Sequence, residues 1–154
     1  MRCVHMLMKQ KTILVIEDET IWHKLYKRVI SEAGFQVHIA ATCADGIKLA
    51  KSLKPDCILL DFHLPDGDAV SVCSAIQSDE SIKGTPVIIC SSDPGAEDAA
   101  YTQCKAAHFM LKGSNALMDL PAAIERLLDI HMKSESIKLS RPAGQAVQRG
   151  GLFC

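Results

Sequence analysis

The fold class of this chain is decided by the stretch Cys57–Ala69, which reads CILLDFHLPDGDA. Four apolar residues run directly into Asp61, and a turn that contains Gly67 follows instead of more strand. An unbroken apolar run of this kind, closed by turn residues, is typical of a strand that is buried on both faces. Asp61 therefore stands at the carboxyl end of a buried strand, where open α/β sheets bind their ligands.

Apolar runs of the same kind recur along the chain, separated by segments in which apolar residues have helical spacing. The last predicted helix runs from about Asp119 to Met132, with Pro121 in its first turn, where proline is tolerated. The alternation predicts a doubly wound α/β domain with a five-stranded parallel sheet over residues 11–132. The predicted strands are KTILVI from Lys11, FQVHIA from Phe35, CILL from Cys57, PVIIC from Pro86 and AHFML from Ala107.

Composition and charge are those of an ordinary globular chain of 154 residues, 48% hydrophobic and 23% charged. A formal net charge of -1 gives no bulk electrostatic support for nucleic-acid binding. Seven cysteines without a Cys-x-x-Cys pair predict reduced thiols and a cytoplasmic location, with neither a disulfide framework nor a zinc site. We find no signal-peptide pattern and no apolar run of membrane-spanning length, so we expect no membrane association.

Two segments flank the predicted domain. Residues 1–10 are interpreted as an N-terminal extension, and residues 133–154, which are basic and contain Ser, Pro, Gly and Gln, as a flexible tail. A docking peptide is the alternative interpretation of the tail. A tail of about twenty residues is too short for a DNA-binding domain, so we expect none in this segment.

Carboxylates gather at the predicted strand ends, because Glu17 and Asp18 follow the first strand and Asp61 ends the third. Neighbouring carboxylates raise each other's pKa by repulsion, and a divalent cation relieves that repulsion. Mg²⁺ prefers oxygen ligands and combines carboxylates with phosphate oxygens. The sequence therefore predicts a magnesium site formed by Glu17, Asp18, Asp61 and the backbone oxygen of His63.

A hydroxyl and a cation stand at the ends of the fourth and fifth predicted strands, at Ser91 and Lys112. A carboxylate is a competent nucleophile that forms an acyl phosphate, and phosphoryl transfer depends mainly on positioning and charge neutralisation. These residues suit a site with room for a phosphoryl group, where the Asp61 carboxylate could be reached, Lys112 supplies a mobile cation and Ser91 supplies a hydroxyl donor. Each residue alone has an ordinary interpretation, as a turn former, a solvated lysine or a locally bonded serine.

Four motifs, in this order and spacing, resemble the response-regulator receiver domain of two-component signalling over about residues 11–130. They are ILVIEDE, CILLDFHLPDGDA, PVIICSS and HFMLKG. The resemblance implies a flavodoxin-like sheet with strand order 2-1-3-4-5. It also implies roles for single residues: Asp61 as phosphoacceptor, Glu17 and Asp18 as magnesium ligands, Ser91 as switch hydroxyl, Phe109 as switch aromatic and Lys112 as phosphate contact.

The same resemblance implies partners and an output. The phosphoryl donor is expected to be a sensor histidine kinase or a histidine phosphotransfer protein, and the output a switched protein-binding face that recruits a downstream effector. A homodimer through the face formed by helix 4, strand 5 and helix 5 is a further expectation. The chain is predicted not to be an enzyme.

Two positions depart from the family pattern. Gly113 stands where the family usually has a proline after the lysine, and that bond is usually cis. A cis bond without proline costs about 2.5–4 kcal/mol, so the sequence leaves the geometry after Lys112 open. Ala69 replaces a usual glycine after the turn, although Gly67 can absorb the bend. Neither departure removes a reactive group.

Two other functions are alternatives to a phospho-accepting receiver. An aspartyl-nucleophile phosphatase of the haloacid dehalogenase type needs a second Asp two residues after the first, and here that position is His63. A receiver-like module that binds partners without phosphorylation is the other alternative.

His63 and Asp93 are predicted to flank the site and to orient or exclude water. Trp22 is interpreted either as a partly exposed docking aromatic or as a packed core residue.

Overall fold

The computed structural model of the chain describes residues 9–140, except for the side chains of residues 131–135 and 139–140. The strands of the sheet are β1 (Thr12–Ile16), β2 (Gln36–Ala40), β3 (Cys57–Asp61), β4 (Val87–Ser91) and β5 (His108–Leu111). The helices are α1 (Thr20–Glu32), α2 (Cys43–Leu53), α3 (Ala69–Gln77), α4 (Glu97–Thr102) and α5 (Ser114–Ser140), with a 3-10 turn at Pro94–Ala96. A short antiparallel ribbon, His63–Leu64 with Gly67–Asp68, follows β3.

The strands pair in parallel in the order β2-β1-β3-β4-β5. Asp61 lies opposite Cys90 on β4, and Ser91 lies opposite Leu111 on β5, so the carboxyl ends of the strands meet at one edge. The strand order reverses between β1 and β3, which is where doubly wound sheets bind ligands. The predicted fold class and the strand order 2-1-3-4-5 are confirmed.

The core consists of two apolar clusters, one on each face of the sheet. Along β1, Leu14 and Ile16 belong to one cluster, while Ile13 and Val15 belong to the other. Successive side chains of a strand point to opposite faces, so a sheet covered on both faces requires an apolar residue at every position. The first cluster includes residues of α2, α3 and α4 (Ala50, Val72, Ala100), and the second includes residues of α1 and α5 (Ile30, Ile124).

Side-chain caps fix the helices that follow β2 and β3. Thr42 caps α2 and Asp68 caps α3, each accepting a hydrogen bond of 3.1 Å from an amide three residues on. Asp66 accepts hydrogen bonds from the amides of Cys43 and Ala44 at 2.7 and 3.1 Å. These bonds tie the turn that follows Asp61 to the start of α2, so the ribbon has a defined position beside the strand ends.

Helix α5 starts earlier and ends later than the sequence predicted. It runs from Ser114 to Ser140, so Pro121 lies in its interior rather than in its first turn, and those predicted boundaries are wrong. Proline cannot donate a hydrogen bond to the carbonyl one turn earlier. The helix nevertheless continues, because Leu120 and Ile124 on either side of the proline are buried against the sheet.

Most of the predicted terminal segments lie outside the described residues. Residues 133–140, which the sequence assigned to the tail, belong to α5. No helix between residues 9 and 140 combines the length and the apolar character that crossing a membrane requires. The cytoplasmic location stays a prediction.

Every cysteine within the described range is a buried free thiol: Cys43, Cys57, Cys73, Cys90 and Cys104. Cys57 and Cys90 have 0% and 2% of their surface exposed, so they act as small core residues. No disulfide joins the described cysteines.

Candidate functional site

The candidate site lies at the carboxyl edge of the sheet, where backbone hydrogen bonds continue one residue past the strands. The amide of Glu17 donates to Ala40 at 3.0 Å, and the amide of Lys112 donates to Ser91 at 2.9 Å. Glu17 and Lys112 are therefore fixed by the sheet although they follow its strands. Together with Asp61 at the end of β3, they form the polar centre of the site.

Lys112 joins the two buried carboxylates of the site. Its Nζ lies 2.5 Å from Glu17 Oε2 and 3.1 Å from Asp61 Oδ2. Only 3% of the Lys112 side chain is exposed, with 1% for Glu17 and 8% for Asp61. Charges this well buried are retained only when they are paired, so the three side chains form one electrostatic unit.

The environment of this unit shifts two pKa values. Burial raises the pKa of Glu17 to about 7, and the nearby Asp61 carboxylate adds to the rise, although hydrogen bonds from Lys112 and the Glu19 amide oppose it. For Lys112, burial lowers the pKa, but the contacts with Glu17 and Asp61 outweigh burial and raise it. The lysine is therefore held as a cation, while Glu17 is poised to gain or lose a proton near neutral pH.

Three carboxylates converge as the sequence predicted. One oxygen from each of Glu17, Asp18 and Asp61 lies within 4.8 Å of the others. Glu17 and Asp61 are buried, whereas Asp18 is exposed at the mouth of the site. A hard divalent cation with oxygen ligands, several of them water, fits this donor set.

Two residues contact the lysine that the sequence argument did not assign to the site. The Trp22 ring centroid lies 5.3 Å from Lys112 Nζ, and Glu19 Oε1 lies 3.8 Å from the same atom. Trp22 is half-buried and also packs on Tyr26, with the ring centroids 5.4 Å apart. A tryptophan face attracts a cation, so Trp22 is neither simply a docking aromatic nor simply a core residue.

A cavity of about 400 Å³ opens in front of these groups. Ser91 lines it, is fully buried, and accepts a hydrogen bond from the Asp93 amide through its Oγ at 3.1 Å. His63 and Asp93 also line it, with their side chains 3.8 Å apart and largely exposed. The predicted flanking positions of His63 and Asp93 are thus observed, and the cavity has room for a phosphoryl group beside Asp61.

Phe109 does not line this cavity. It is buried in the cluster shared by α2, α3 and α4, and its amide donates to the hydroxyl of Tyr101 at 3.1 Å. Tyr101 lies on α4 with 43% of its surface exposed. Phe109 therefore connects the strand that carries Lys112 to an exposed helix.

The structure also describes the two departures from the family pattern. The bond between Lys112 and Gly113 is trans, since residues 9–140 contain no cis peptide bond. Ala69 is fully buried at the start of α3, where its amide donates to Phe62 at 2.8 Å. Lys112 thus reaches Glu17 and Asp61 without a cis bond beside it.

Residues 13–125 match the family model described as response regulator receiver domain. The match covers most of the chain. The chain belongs to the receiver-domain family. Receiver domains are mostly signalling modules of two-component systems rather than enzymes, and they bind Mg²⁺ at an acidic pocket.

Two curated relatives illustrate the similarity. The polar-differentiation response regulator DivK of Brucella abortus is 28% identical over 78 residues, which are 51% of this chain and 63% of DivK. A protein-glutamate methylesterase/protein-glutamine glutaminase of Anaeromyxobacter dehalogenans is 34% identical over 86 residues, which are 53% of this chain and 24% of that enzyme. The chain therefore spans less than two thirds of these relatives, and the name of the esterase describes that protein alone.

A solved structure of low sequence identity shares the fold. The receiver domain of the sensor histidine kinase PA1611 of Pseudomonas aeruginosa superposes with a TM-score of 0.69 at 20% identity. The superposition covers 79% of this chain and 99% of that one, and the PA1611 structure has a magnesium ion coordinated in its active-site cleft.

Proposed function

We propose that this chain is a phospho-accepting receiver, in which Asp61 takes a phosphoryl group from a histidine on a partner protein. The observation that carries the proposal is Lys112 Nζ, held 3.1 Å from Asp61 and 2.5 Å from Glu17 in front of a cavity. A buried cation beside a nucleophilic carboxylate provides the positioning and charge neutralisation that phosphoryl transfer requires.

The transfer step uses Asp61 as the nucleophile. A carboxylate oxygen of Asp61 attacks phosphorus, the bond between phosphorus and the partner's histidine nitrogen breaks, and the imidazole leaves with the electron pair and takes up a proton. Lys112 then turns from the two carboxylates toward the new phosphoryl oxygens. Ser91 donates its hydroxyl to the same group.

Glu17, Asp18 and Asp61 would hold magnesium, with the backbone oxygen of His63 as a further ligand. A bound magnesium ion neutralises the charge of the carboxylates and of the incoming phosphoryl oxygens. Glu17 must be ionised to take part, and Lys112 compensates its charge in the resting protein.

The output is a change in protein binding. When Ser91 moves toward the phosphoryl group, Phe109 repacks, and the hydrogen bond from its amide to the Tyr101 hydroxyl passes the change to α4. The partners are then a sensor histidine kinase or histidine phosphotransfer protein as donor and a downstream protein effector. A homodimer through the face of α4, β5 and α5 remains a prediction.

One observation bears on each alternative function. A phosphatase of this type is disfavoured because it needs an Asp at position 63, where this chain has His63, whose side chain is largely exposed and lies 3.8 Å from Asp93. A module that works without phosphate would not need a cation buried between two carboxylates, which is costly to maintain.

The test is intact mass after incubation with Mg²⁺ and acetyl phosphate. We expect one phosphoryl adduct, which disappears in Asp61→Asn and when a chelator is present. The matched control is Asp45→Asn, which removes an exposed carboxylate on α2 and should leave the adduct unchanged. An adduct that persists in Asp61→Asn would overturn the assignment. If no adduct forms, beryllofluoride binding decides between a short-lived phosphate and a chain that does not accept one.

A further inference from the structure

Glu19 stands directly before helix α1 but does not cap the helix with its side chain. Its backbone carbonyl accepts hydrogen bonds from the amides of Trp22 and His23, each 3.1 Å long, whereas its carboxylate makes no capping bond. Short side chains such as Ser, Thr, Asp and Asn are preferred at this position, because their oxygens reach the first free amides. The helix start therefore does not explain why this position carries a glutamate.

The Glu19 carboxylate lies at the mouth of the acidic cavity, which is the space of about 400 Å³ in front of Asp61. Glu19 lines that space with 55% of its side chain exposed, and its Oε1 lies 3.8 Å from Lys112 Nζ. Glu17 and Asp61 lie closer to the same Nζ, at 2.5 and 3.1 Å. The charge of Lys112 is thus compensated mainly by the two buried carboxylates, and Glu19 keeps most of its negative charge facing the cavity.

The other exposed carboxylates at the cavity have partners of their own. Asp93 has the His63 ring 3.8 Å away, and Asp18 is one of the three carboxylates that suit a divalent cation. Among the described side chains, Lys112 is the only cation that pairs with Glu19. Glu19 is therefore the least compensated negative charge that a molecule entering the cavity meets.

A phosphoryl donor presents its leaving group to this mouth. In phosphoryl transfer the attacking and leaving atoms lie roughly in line through phosphorus. In the transfer proposed above, Asp61 attacks from the buried end of the cavity, so the leaving group lies on the opposite side, toward the exposed rim. The phosphoryl oxygens are common to every donor, and donors therefore differ mainly in the group that lies beside Glu19.

We propose that Glu19 makes the site selective for donors whose leaving group carries no negative charge, such as the imidazole of a phosphohistidine. The proposal rests on Asp61 being the phosphoacceptor. In each reaction a bond from an Asp61 oxygen to phosphorus forms, and the bond from phosphorus to the leaving group breaks. An imidazole nitrogen keeps the electron pair and takes up a proton, whereas acetyl phosphate releases acetate as an anion beside Glu19. Repulsion between these two negative charges disfavours the second reaction.

The experiment compares two small donors on the full-length chain in Mg²⁺, with adduct formation followed by intact mass. Acetyl phosphate releases an anion, whereas phosphoramidate releases neutral ammonia. We expect Glu19→Gln to raise the ratio of the acetyl phosphate rate to the phosphoramidate rate by about three- to tenfold, because it removes one exposed charge beside the leaving group. Glu19→Lys should raise the ratio further. Salt at about 1 M should remove most of the gain, because it screens exposed charges.

Glu80→Gln is the matched control. It removes the same charge from a side chain that is 87% exposed and pairs with Lys83 before β4, at the opposite end of the sheet. Its ratio should equal that of the wild type. Because each ratio compares two donors on the same protein, a loss of stability in one variant does not change it.

Two results would overturn the selectivity of Glu19 while leaving Asp61 as the acceptor. One is an unchanged ratio in Glu19→Gln, although both donors give adducts that Asp61→Asn abolishes. The other is an equal rise in both rates, which would mean that Glu19 only restrains Lys112. An adduct that persists in Asp61→Asn would instead overturn the proposed function, and the selectivity with it.

Discussion

The two ends of the sheet solve the problem of burying reactive groups in opposite ways. At the carboxyl end, Glu17, Asp61 and Lys112 are buried as charges and compensate one another within 2.5 to 3.1 Å. At the amino end, Cys73 and Cys104 are buried without formal charge and line a cavity of about 570 Å³. Charge at the carboxyl end therefore depends on partners from three strands, whereas the neutral thiols at the amino end need no ionised partner.

This difference has an energetic consequence. Removing one member of a buried charge network leaves an uncompensated charge, which costs several kcal/mol, whereas a neutral thiol tolerates replacement better. Substitutions at the carboxyl end should therefore have larger effects on function and on pH dependence than matched substitutions at the amino end. The following predictions test that comparison, beginning with the largest expected effect.

Lys112 lines the acidic cavity and Lys83 lines the amino-end cavity, and only Lys112 should matter for phosphorylation. We expect Lys112→Met to slow adduct formation from acetyl phosphate by about a hundredfold or more, because it removes the buried cation beside Asp61. Lys83→Met is the matched control, since Lys83 lines the amino-end cavity and pairs with the exposed Glu80 at 2.6 Å. Equal loss of rate in both variants would mean that net charge, rather than the position of Lys112, governs the reaction. The measurement is the rate of adduct formation by intact mass.

Glu17 at the carboxyl end and Glu80 at the amino end should contribute differently to the pH dependence of the free energy of unfolding. The folded-state pKa of Glu17 is raised from 4.5 to about 7, so its protonated form favours the folded chain, and that stabilisation is lost as pH rises from 4.5 through 7. Between these pH values the wild type should lose up to about 3 kcal/mol more free energy of unfolding than Glu17→Gln. Urea unfolding in the presence of a chelator measures the free energy of unfolding at each pH.

The control for this pH experiment is Glu80→Gln. Glu80 has 87% of its side chain exposed and pairs only with Lys83. This variant should follow the wild-type pH dependence, since a surface ion pair contributes little. A Glu17→Gln variant that keeps the full wild-type dependence would show that burial does not perturb Glu17.

Trp22 belongs to the carboxyl end of the sheet, because its aromatic face helps to hold the Lys112 cation. We expect Trp22→Leu to reduce the phosphorylation rate by about three- to tenfold through looser positioning of Lys112. Trp22→Phe should recover part of the rate because it keeps an aromatic face. If Leu and Phe variants of equal stability react at the same rate, the ring acts by packing alone. Acetyl phosphate kinetics and urea unfolding together give both quantities.

The smallest effect is expected at the exposed rim of the acidic site. His63 and Asp93 have 66% and 56% of their side chains exposed and lie 3.8 Å apart, so their interaction is weak. Replacing either with alanine should open the site to water and speed loss of the phosphoryl group by about two- to fivefold. The decay of the phosphoryl adduct after removal of the donor measures this. An unchanged decay rate in both variants would remove these residues from water control.

Much of the candidate site was predictable from the sequence because the strands are short, parallel and apolar throughout. In such a sheet the first polar residue after each strand must emerge at the same edge, so Glu17, Asp61 and Lys112 could be grouped without coordinates. The cap residues Thr42 and Asp68 were predictable for a similar reason, since capping is a local interaction within a few residues.

Other features were not predictable, because they depend on contacts between distant segments. The ends of α5 are one example, since the burial of Leu120 and Ile124 holds a helix through Pro121 that local rules place near its start. Trp22 over Lys112 is another, because the two residues lie 90 positions apart in the chain and meet only in the folded domain. The trans bond before Gly113 likewise follows from the folded loop.

The sequence by itself determined the fold class, the strand order through its motifs, and the carboxylates, hydroxyl and lysine at the strand ends. These follow from the periodicity of the apolar residues, the order of the motifs along the chain and the chemistry of single residues. Only the tertiary structure decided which groups pair, because the ion pairs around Lys112 join residues far apart in the chain. It also decided that Glu17 lies deep enough to be protonated near neutral pH, since burial is a property of the packed domain.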